Sequence, residues 1–174
     1  MDLFQIIMKY LAYFRPNRRL YELILKQNDI ILPSSGLHST LCVFYMEPKK
    51  EKSLINDLSK IYFNPFKIKT LGFDDFDKDS FVLKIHRSDE LLQLHKRIVA
   101  IVGNYADTGF NAIEKKYFGD KYNPHFTISK SSSGFDRNSK GLIGQKDTIA
   151  KYSLAKKVDK TWKEIQDFFL INSY

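Results

Sequence analysis

The sequence has little of several features that would place a protein in a special class. A single cysteine, Cys42, excludes an intramolecular disulfide and is compatible with a reducing, intracellular setting. Apolar runs such as 30–32 and 98–102 are far too short to cross a bilayer. The apolar amino terminus lacks a basic leader and a small-residue cleavage site, so we expect no signal peptide. These absences together predict a cytoplasmic protein that does not associate with membranes.

What the sequence does contain is an ordinary globular composition with an excess of positive charge. With 174 residues, of which 43% are hydrophobic and 28% charged, the chain is expected to form one domain over 1–174 with a real core. Twenty-eight Lys and Arg residues against twenty Asp and Glu give a net charge of +8. This balance favours a polyanionic partner, nucleic acid above all. Lysines scattered over a solvated surface would give the same numbers, so charge alone leaves both interpretations open.

Two of the four histidines open the same three-residue pattern, a histidine followed two places later by a threonine. The first pattern lies in GLHSTLCV at 36–43 and contains His38 and Thr40. The second lies in YNPHFTIS at 122–129 and contains His125 and Thr127. Both stretches alternate as strands do, and alternation places each histidine and its threonine on one face. On the same logic Leu41 and Val43, like Phe126 and Ile128, point to the core face.

The elements that precede the two HxT motifs occur in the same order. Segment 9–16 alternates like a strand, Asn17 can cap a helix over 18–27, and a loop containing Pro33 and Gly36 leads to His38. Segment 80–86 alternates in the same way, Ser88 can cap a helix that stops at Gly103, and a longer loop leads to His125. The repeated order of strand, helix, loop and HxT strand predicts two related halves.

The remaining segments give weaker signals. We expect a helix over 49–61, a strand near 66–71, a Gly- and Ser-rich loop over 131–146 and a strand over 148–154. The last segment, 158–169, fits a helix by its period, but its many bulky residues also suit a strand.

Two HxT faces in one cleft would be suited to phosphate chemistry. A neutral imidazole can act as base and a protonated one as acid, because the unperturbed pKa of histidine is about 6.5. The threonine hydroxyls can donate hydrogen bonds to the non-bridging phosphate oxygens. No metal is required. The alternative of a histidine metal site would need a third ligand, and no His, Cys or carboxylate stands at a recognised ligand spacing.

The other two histidines are better explained as structural residues. His95 lies within the second predicted helix, and we expect it to be hydrogen-bonded there. His86 shares a predicted strand face with Lys84, opposite Phe81, Leu83 and Ile85. A role for His86 and Lys84 in lining the cleft and binding substrate remains open on these grounds.

The motifs LHSTL and PHFTI, in this order of elements, resemble the 2H phosphoesterase superfamily, in particular its 2'-5' RNA ligase or RNA 2',3'-cyclic phosphodiesterase branch. YNPHFTISK is the most specific part, because the family commonly has an aromatic residue and a proline before the second histidine. Lys130 stands where an arginine is frequent in the family. The resemblance implies an α+β, two-lobed, pseudo-twofold fold in which concave antiparallel sheets form a central cleft and helices lie outside. It also makes 161–171 a closing strand.

The resemblance further implies a metal-independent and cofactor-independent phosphodiesterase. His38 and His125 would share acid and base catalysis, Thr40 and Thr127 would bind phosphate, and Lys130 would contact it. Tyr122 would stack on a base or merely cover the core. The expected substrates are RNA ends, oligonucleotides or cyclic nucleotides, through 2',3'-cyclic phosphate hydrolysis or 2'-5' cleavage by a monomer. The alternative is a non-catalytic module of the same fold that binds RNA or nucleotides.

Overall fold

The computed structural model describes residues 6–27, 32, 36–76, 80–106, 118–129 and 141–171. The strands in this part of the chain are β1 Met8–Phe14, β2 Ser39–Met46, β3 Phe66–Asp75, β4 Phe81–Ile85, β5 His125–Ser129, β6 Lys146–Ile149, β7 Lys151–Val158 and β8 Thr161–Phe169. The α-helices are α1 Arg18–Leu25, α2 Glu51–Leu58 and α3 Asp89–Gly103, and single 3₁₀ turns cover Pro48–Lys50 and Gly119–Lys121. No helix among the described residues is long and apolar enough to span a membrane.

The ends of α1 and α3 follow the capping signals in the sequence. The Asn17 side chain accepts a hydrogen bond from the Leu20 backbone N–H at 2.9 Å, and Ser88 accepts one from Leu91 at 3.3 Å. Each bond satisfies an N–H that the helix cannot pair internally. Helix α3 ends at Gly103, as expected. The helix expected over 49–61 is shorter, because its first turn is 3₁₀ and α2 covers only 51–58.

The eight strands form two four-stranded sheets with the orders β2-β1-β7-β8 and β5-β4-β3-β6. Every adjacent pair is antiparallel. In each sheet an HxT strand lies at one edge and pairs with the preceding strand of the chain. Strand β2 pairs with β1, and α1 connects them; β5 pairs with β4, and α3 lies in the connection between them. The two halves therefore occupy equivalent positions, and this pseudo-twofold, two-sheet α+β architecture confirms the expected fold.

One large core lies on the helix side of both sheets. Phe14 of β1 and Phe126 of β5 meet edge to face with ring centroids 6.0 Å apart, which joins the two sheets behind the HxT strands. The helices contribute buried residues to this core: Leu20, Ile24, Leu54, Leu58, Leu91, Leu94, Ile98 and Val102. Phe126 and Ile128 also belong to it, as their alternation in β5 predicts. The opposite face of each sheet is thereby left for the cleft.

The expected core position of Val43 is wrong. Cys42 pairs with Ala12 while Thr40 pairs with Tyr13, so Leu41 is an extra residue in β2. Such a bulge interrupts the alternation of side chains along a strand. Val43 consequently packs with Leu11 and Tyr13, away from the helices.

The carboxy-terminal strands also differ from the single strand expected over 148–154. Strand β6 ends at Ile149 and pairs with β3 in the second sheet, whereas β7 begins at Lys151 and pairs with β1 in the first. The chain changes sheets at Ala150, where neither pairing continues. The ambiguous last segment is strand β8, which pairs with β7 and closes the first sheet.

Candidate active site

His38 stands directly before β2 and is held by a short turn. Its Nδ1 lies 3.0 Å from the carbonyl oxygen of Gly36. Gly36 has φ of +70°, a conformation that residues with a Cβ rarely adopt, and a Cβ there would lie 3.0 Å from the Arg15 guanidinium. The glycine thus permits the turn that aims the imidazole.

His125 is held in the same way at the start of β5. Its Nδ1 lies 2.8 Å from the carbonyl oxygen of Asn123, again two residues earlier in the chain. A carbonyl only accepts, so in both motifs Nδ1–H donates and Nε2 is the ring nitrogen left for proton exchange. The Phe76 ring packs on the His125 ring with centroids 4.2 Å apart.

The two HxT strands approach each other across the cleft. Strands β2 and β5 are in contact, although each belongs to a different sheet. A cavity of about 210 Å³ between them is lined by Thr40 and His125, together with Phe76, Tyr122 and other residues. Thr127 is half-buried and lies two residues after His125, on the same side of β5. The structure therefore brings Thr40 and His125 to one cavity, with Thr127 beside His125 on β5, whereas His38 lines a second cavity on the first sheet.

The surroundings of His38 favour its neutral form. Burial lowers the pKa of His38 below 6.5, and the positive charges of Arg15 and His125 lower it further, against the effect of the hydrogen bond to Gly36. Tyr13 meets the His38 ring edge to face at 5.5 Å, and its hydroxyl donates to Glu164 of β8.

The other expected substrate-binding residues take different positions. Lys84 is half-buried opposite His125 and pairs with Asp74 at 3.2 Å, so it lies on the cleft side of β4. His86 lies beyond the end of β4 and is exposed. Lys130 lies outside the described residues.

Tyr122 is buried, with 5% of its surface exposed. Its ring stacks on His95 with centroids 4.0 Å apart and an angle of 4° between the planes. Its hydroxyl donates to the Thr40 carbonyl at 3.2 Å, and burial raises its pKa. His95 thus already covers one face of the Tyr122 ring. The position of Tyr122 fits the expected core-covering role better than stacking on a base.

His95 is a buried structural link between the two motifs, in agreement with the structural role expected for it. Its Nδ1 lies 2.8 Å from the Leu41 carbonyl of the β2 bulge, and its Nε2 accepts the Gly119 N–H at 3.2 Å. These two bonds assign the neutral tautomer with hydrogen on Nδ1. His95 and Tyr122 together tie β2 to the segment that delivers His125.

The sequence signals did not identify several residues around His38. Tyr13, Arg15, Trp162 and Glu164 line a second cavity of about 210 Å³ with His38. Tyr13 and Arg15 lie two positions apart at the end of a predicted strand, so the sequence alone could predict that they share a face. That this face meets His38 depends on the pairing of β1 with β2, and Trp162 and Glu164 arrive only through the pairing of β8 with β7.

The histidine pair alone would give a metal only two nitrogen ligands. Among the residues that the structure describes, no group of three or more His, Cys, Asp or Glu side chains could hold a metal ion.

Several solved structures share this fold at low sequence identity. TT0787 of Thermus thermophilus is 17% identical, with a TM-score of 0.66 over 96% of this chain and 100% of that one. Escherichia coli LigT, complexed with 3'-AMP, is 14% identical, with a TM-score of 0.66 over 95% of this chain and 99% of that one. Kluyveromyces marxianus Usb1, with uridine monophosphate, is 12% identical, with a TM-score of 0.50 over 90% of this chain and 97% of that one.

The sequence comparisons identify the family directly. No curated protein matches the sequence at a significant level. The family model described as the 2'-5' RNA ligase superfamily, in contrast, matches residues 23–138. That match covers 116 of the 174 residues, or two thirds of the chain, and includes both HxT motifs. The protein therefore belongs to the 2'-5' RNA ligase superfamily, and its architecture is that of the 2H phosphoesterases.

Proposed function

We propose that the protein is a metal-independent phosphodiesterase that acts on RNA ends or nucleotides through paired histidine acid–base catalysis. The observation that carries this proposal is the approach of two equivalent motifs, one at β2 and one at β5, where these two strands meet. Each has a histidine at the start of an edge strand or directly before it, bonded through Nδ1 to the carbonyl two residues earlier, and each has a threonine two residues later. Solved relatives complexed with 3'-AMP and uridine monophosphate support a nucleotide substrate.

The groups at the cleft suffice for hydrolysis of a 2',3'-cyclic phosphate. Neutral His38 takes a proton from water as the water oxygen bonds to phosphorus, since its lowered pKa keeps it unprotonated at neutral pH. The bond from phosphorus to one ribose oxygen breaks, and His125 gives a proton to that oxygen. The hydroxyls of Thr40 and Thr127 donate to the non-bridging oxygens and hold the phosphate in line. The same groups serve 2'-5' cleavage, in which the leaving oxygen belongs to the neighbouring nucleotide.

Substitution of the two histidines tests this mechanism. His38→Ala and His125→Ala should each lower kcat by about 10²- to 10⁴-fold, because each removes one proton transfer. Initial rates are measured in excess chelator with four substrates: RNA ending in a 2',3'-cyclic phosphate, 2'-5' oligoadenylate, a cyclic nucleotide and ADP-ribose cyclic phosphate. Wild-type activity should persist in chelator on at least one of them.

Threonine variants test the phosphate-binding role, and Thr148→Ala is the matched control. Thr40→Ala and Thr127→Ala should each lower kcat by about 10²-fold, as expected for the loss of one preorganised donor. Thr148→Ala should not, because Thr148 is exposed on β6, at the edge of the second sheet farthest from β5. Retained activity in a histidine variant would remove that histidine from catalysis, and complete loss in chelator would refute the mechanism. Binding without turnover by the wild type would favour the non-catalytic alternative.

A further inference from the structure

The cleft face of the first sheet continues well beyond the catalytic motif. Cross-strand partners share a face, so the pairs Leu11–Val43, Leu11–Ala155 and Ala155–Glu164 define one row across all four strands. Two residues farther along the strands, the next row contains Tyr45, Lys9, Lys157 and Trp162. We call the side chains of these two rows, with Tyr13, the first-sheet face.

The first-sheet face is continuous with the proposed active site. His38 and Trp162 line the same cavity, with Tyr13 and Leu11 between them. The indole is half-buried and packs on Leu11, Tyr13 and Ala155, so its position is fixed by the sheet. A nucleic-acid strand with a phosphate bound at His38 that continues along the first-sheet face would therefore reach Trp162 next.

The far row combines positive charge with aromatic rings. The Lys9 ammonium lies 5.3 Å from the centre of the Tyr45 ring, and Lys157 is exposed directly opposite Trp162. Lys9 is separated from Tyr13 by four residues along β1, which corresponds to about 13 Å at ~3.3 Å per residue. A phosphate held by Thr40, the partner of Tyr13, is therefore out of reach of this lysine pair, which would contact a different phosphate.

We propose that the first-sheet face binds the single-stranded RNA next to the reacting phosphate, with Trp162 stacking on a base and Lys9 and Lys157 contacting the backbone. Alternation of basic and aromatic side chains along a groove is how proteins hold single strands without reading sequence. The net charge of +8 complements this partner. This inference rests on the proposed function and narrows the substrate to an oligonucleotide, in preference to a mononucleotide.

Trp162 reports its own stacking, because it is the only tryptophan in the chain. An RNA octamer ending in a 3'-phosphate, which is not a cyclic substrate, is titrated into the wild-type protein while tryptophan fluorescence is recorded. The octamer should quench the emission, whereas saturating 3'-AMP should displace the octamer with little quenching of its own. Equal quenching by 3'-AMP would place the indole against the terminal base and overturn the assignment.

Substitutions then separate stacking from charge. Trp162→Ala should weaken octamer binding, measured by anisotropy of a labelled octamer, about five- to 150-fold relative to 3'-AMP binding. The double variant Lys9→Ala with Lys157→Ala should flatten the slope of log affinity against log salt by about 1.4. Lys163→Ala is the matched control, since Lys163 neighbours Trp162 on β8 but points to the opposite face.

The outcomes distinguish this inference from the proposed function. An equal effect of Lys163→Ala, or no effect of the double lysine variant, would overturn the RNA-binding face whether or not the Trp162 variant folds. Octamer binding that depends on these residues in a protein without turnover would refute only the catalytic proposal. Hydrolysis of cyclic nucleotides with no preference for oligonucleotides would refute only the face.

Discussion

The protonation state of His38 is set by the side chains around it. Burial lowers its pKa first, and the charges of Arg15 and His125 act in the same direction. Only a neutral imidazole can take a proton from water, so a pKa below 6.5 extends to lower pH the range in which His38 could serve as the base of the proposed mechanism. Arg15 reaches this position from the end of β1, where it also donates to the Leu37 carbonyl at 3.3 Å.

Arg15→Gln should raise the pKa of His38 toward its usual value, because the variant removes a positive charge that disfavours the imidazolium. The pKa is read from an NMR titration of the His38 ring protons, independently of turnover. If the catalytic proposal holds, the acidic limb of the pH profile of kcat/KM moves to higher pH by the same amount.

Arg19→Gln serves as the control for this substitution. Arg19 is exposed on α1 and contacts Gln145, so the pKa of His38 should not change when its charge is removed. A His38 pKa that is unchanged in Arg15→Gln would show that the charge of Arg15 does not contribute to the neutral state of His38.

At this scale the sequence predicted the HxT residues but not their environment. His38, Thr40, His125 and Thr127 are recognisable because each pair is local, two positions apart on one strand. The effect of Arg15 on His38 crosses more than twenty positions and depends on a pairing register that no local pattern specifies.

At the scale of elements, the bulge in β2 and helix α3 are joined by His95. The bulge places an extra residue, Leu41, in the strand that carries Thr40, and His95 bonds to the carbonyl of that residue. Strict alternation predicted Val43 in the core and could not reveal the bulge, because a bulge exists only relative to its partner strand. The helix period did predict that His95 lies in a helix, and its hydrogen-bonded role followed from the rarity of unpaired buried histidines.

His95→Leu should destabilise the protein by about 2–5 kcal/mol, since the buried Leu41 carbonyl and the Gly119 N–H would each lose a partner. His95→Gln should cost less, because an amide can still donate and accept. Urea unfolding at neutral pH measures both. Equal stability of His95→Leu and wild type would show that the link between α3 and the bulge contributes no net stability.

At the scale of the whole molecule, the order of elements was more predictable than their assignment to sheets. Two strand–helix–loop–strand units and the closing strand β8 were expected, and each HxT strand occupies the equivalent edge of its sheet. The segment that contains β6 and β7 gave only one strand signal, yet its two strands belong to different sheets. Long-range pairing of that kind depends on the packed core and not on local periodicity.

The same packing makes stability depend on pH at both ends of the range. Burial lowers the pKa of His38 and of His95 below 6.5, so below that pH the unfolded chain binds protons first and the folded state loses stability. Burial raises the pKa of Tyr10, Tyr122 and Tyr152 above 10.0, so above that pH the unfolded chain releases protons first. Between about pH 6.5 and pH 10 the folded state loses stability through neither the histidines nor the tyrosines.

We therefore expect the free energy of unfolding to be nearly constant from about pH 7 to pH 9 and to fall on either side. Urea unfolding from about pH 5 to pH 10.5 measures this curve. On the acidic side, the double variant His38→Ala with His95→Gln should show a smaller decline, because neither replacement titrates. Burial lowers the pKa of both histidines, so their protonation in the unfolded chain is the expected cause of the loss of stability in acid. An acidic decline of the same size in the double variant would show that other groups cause this loss.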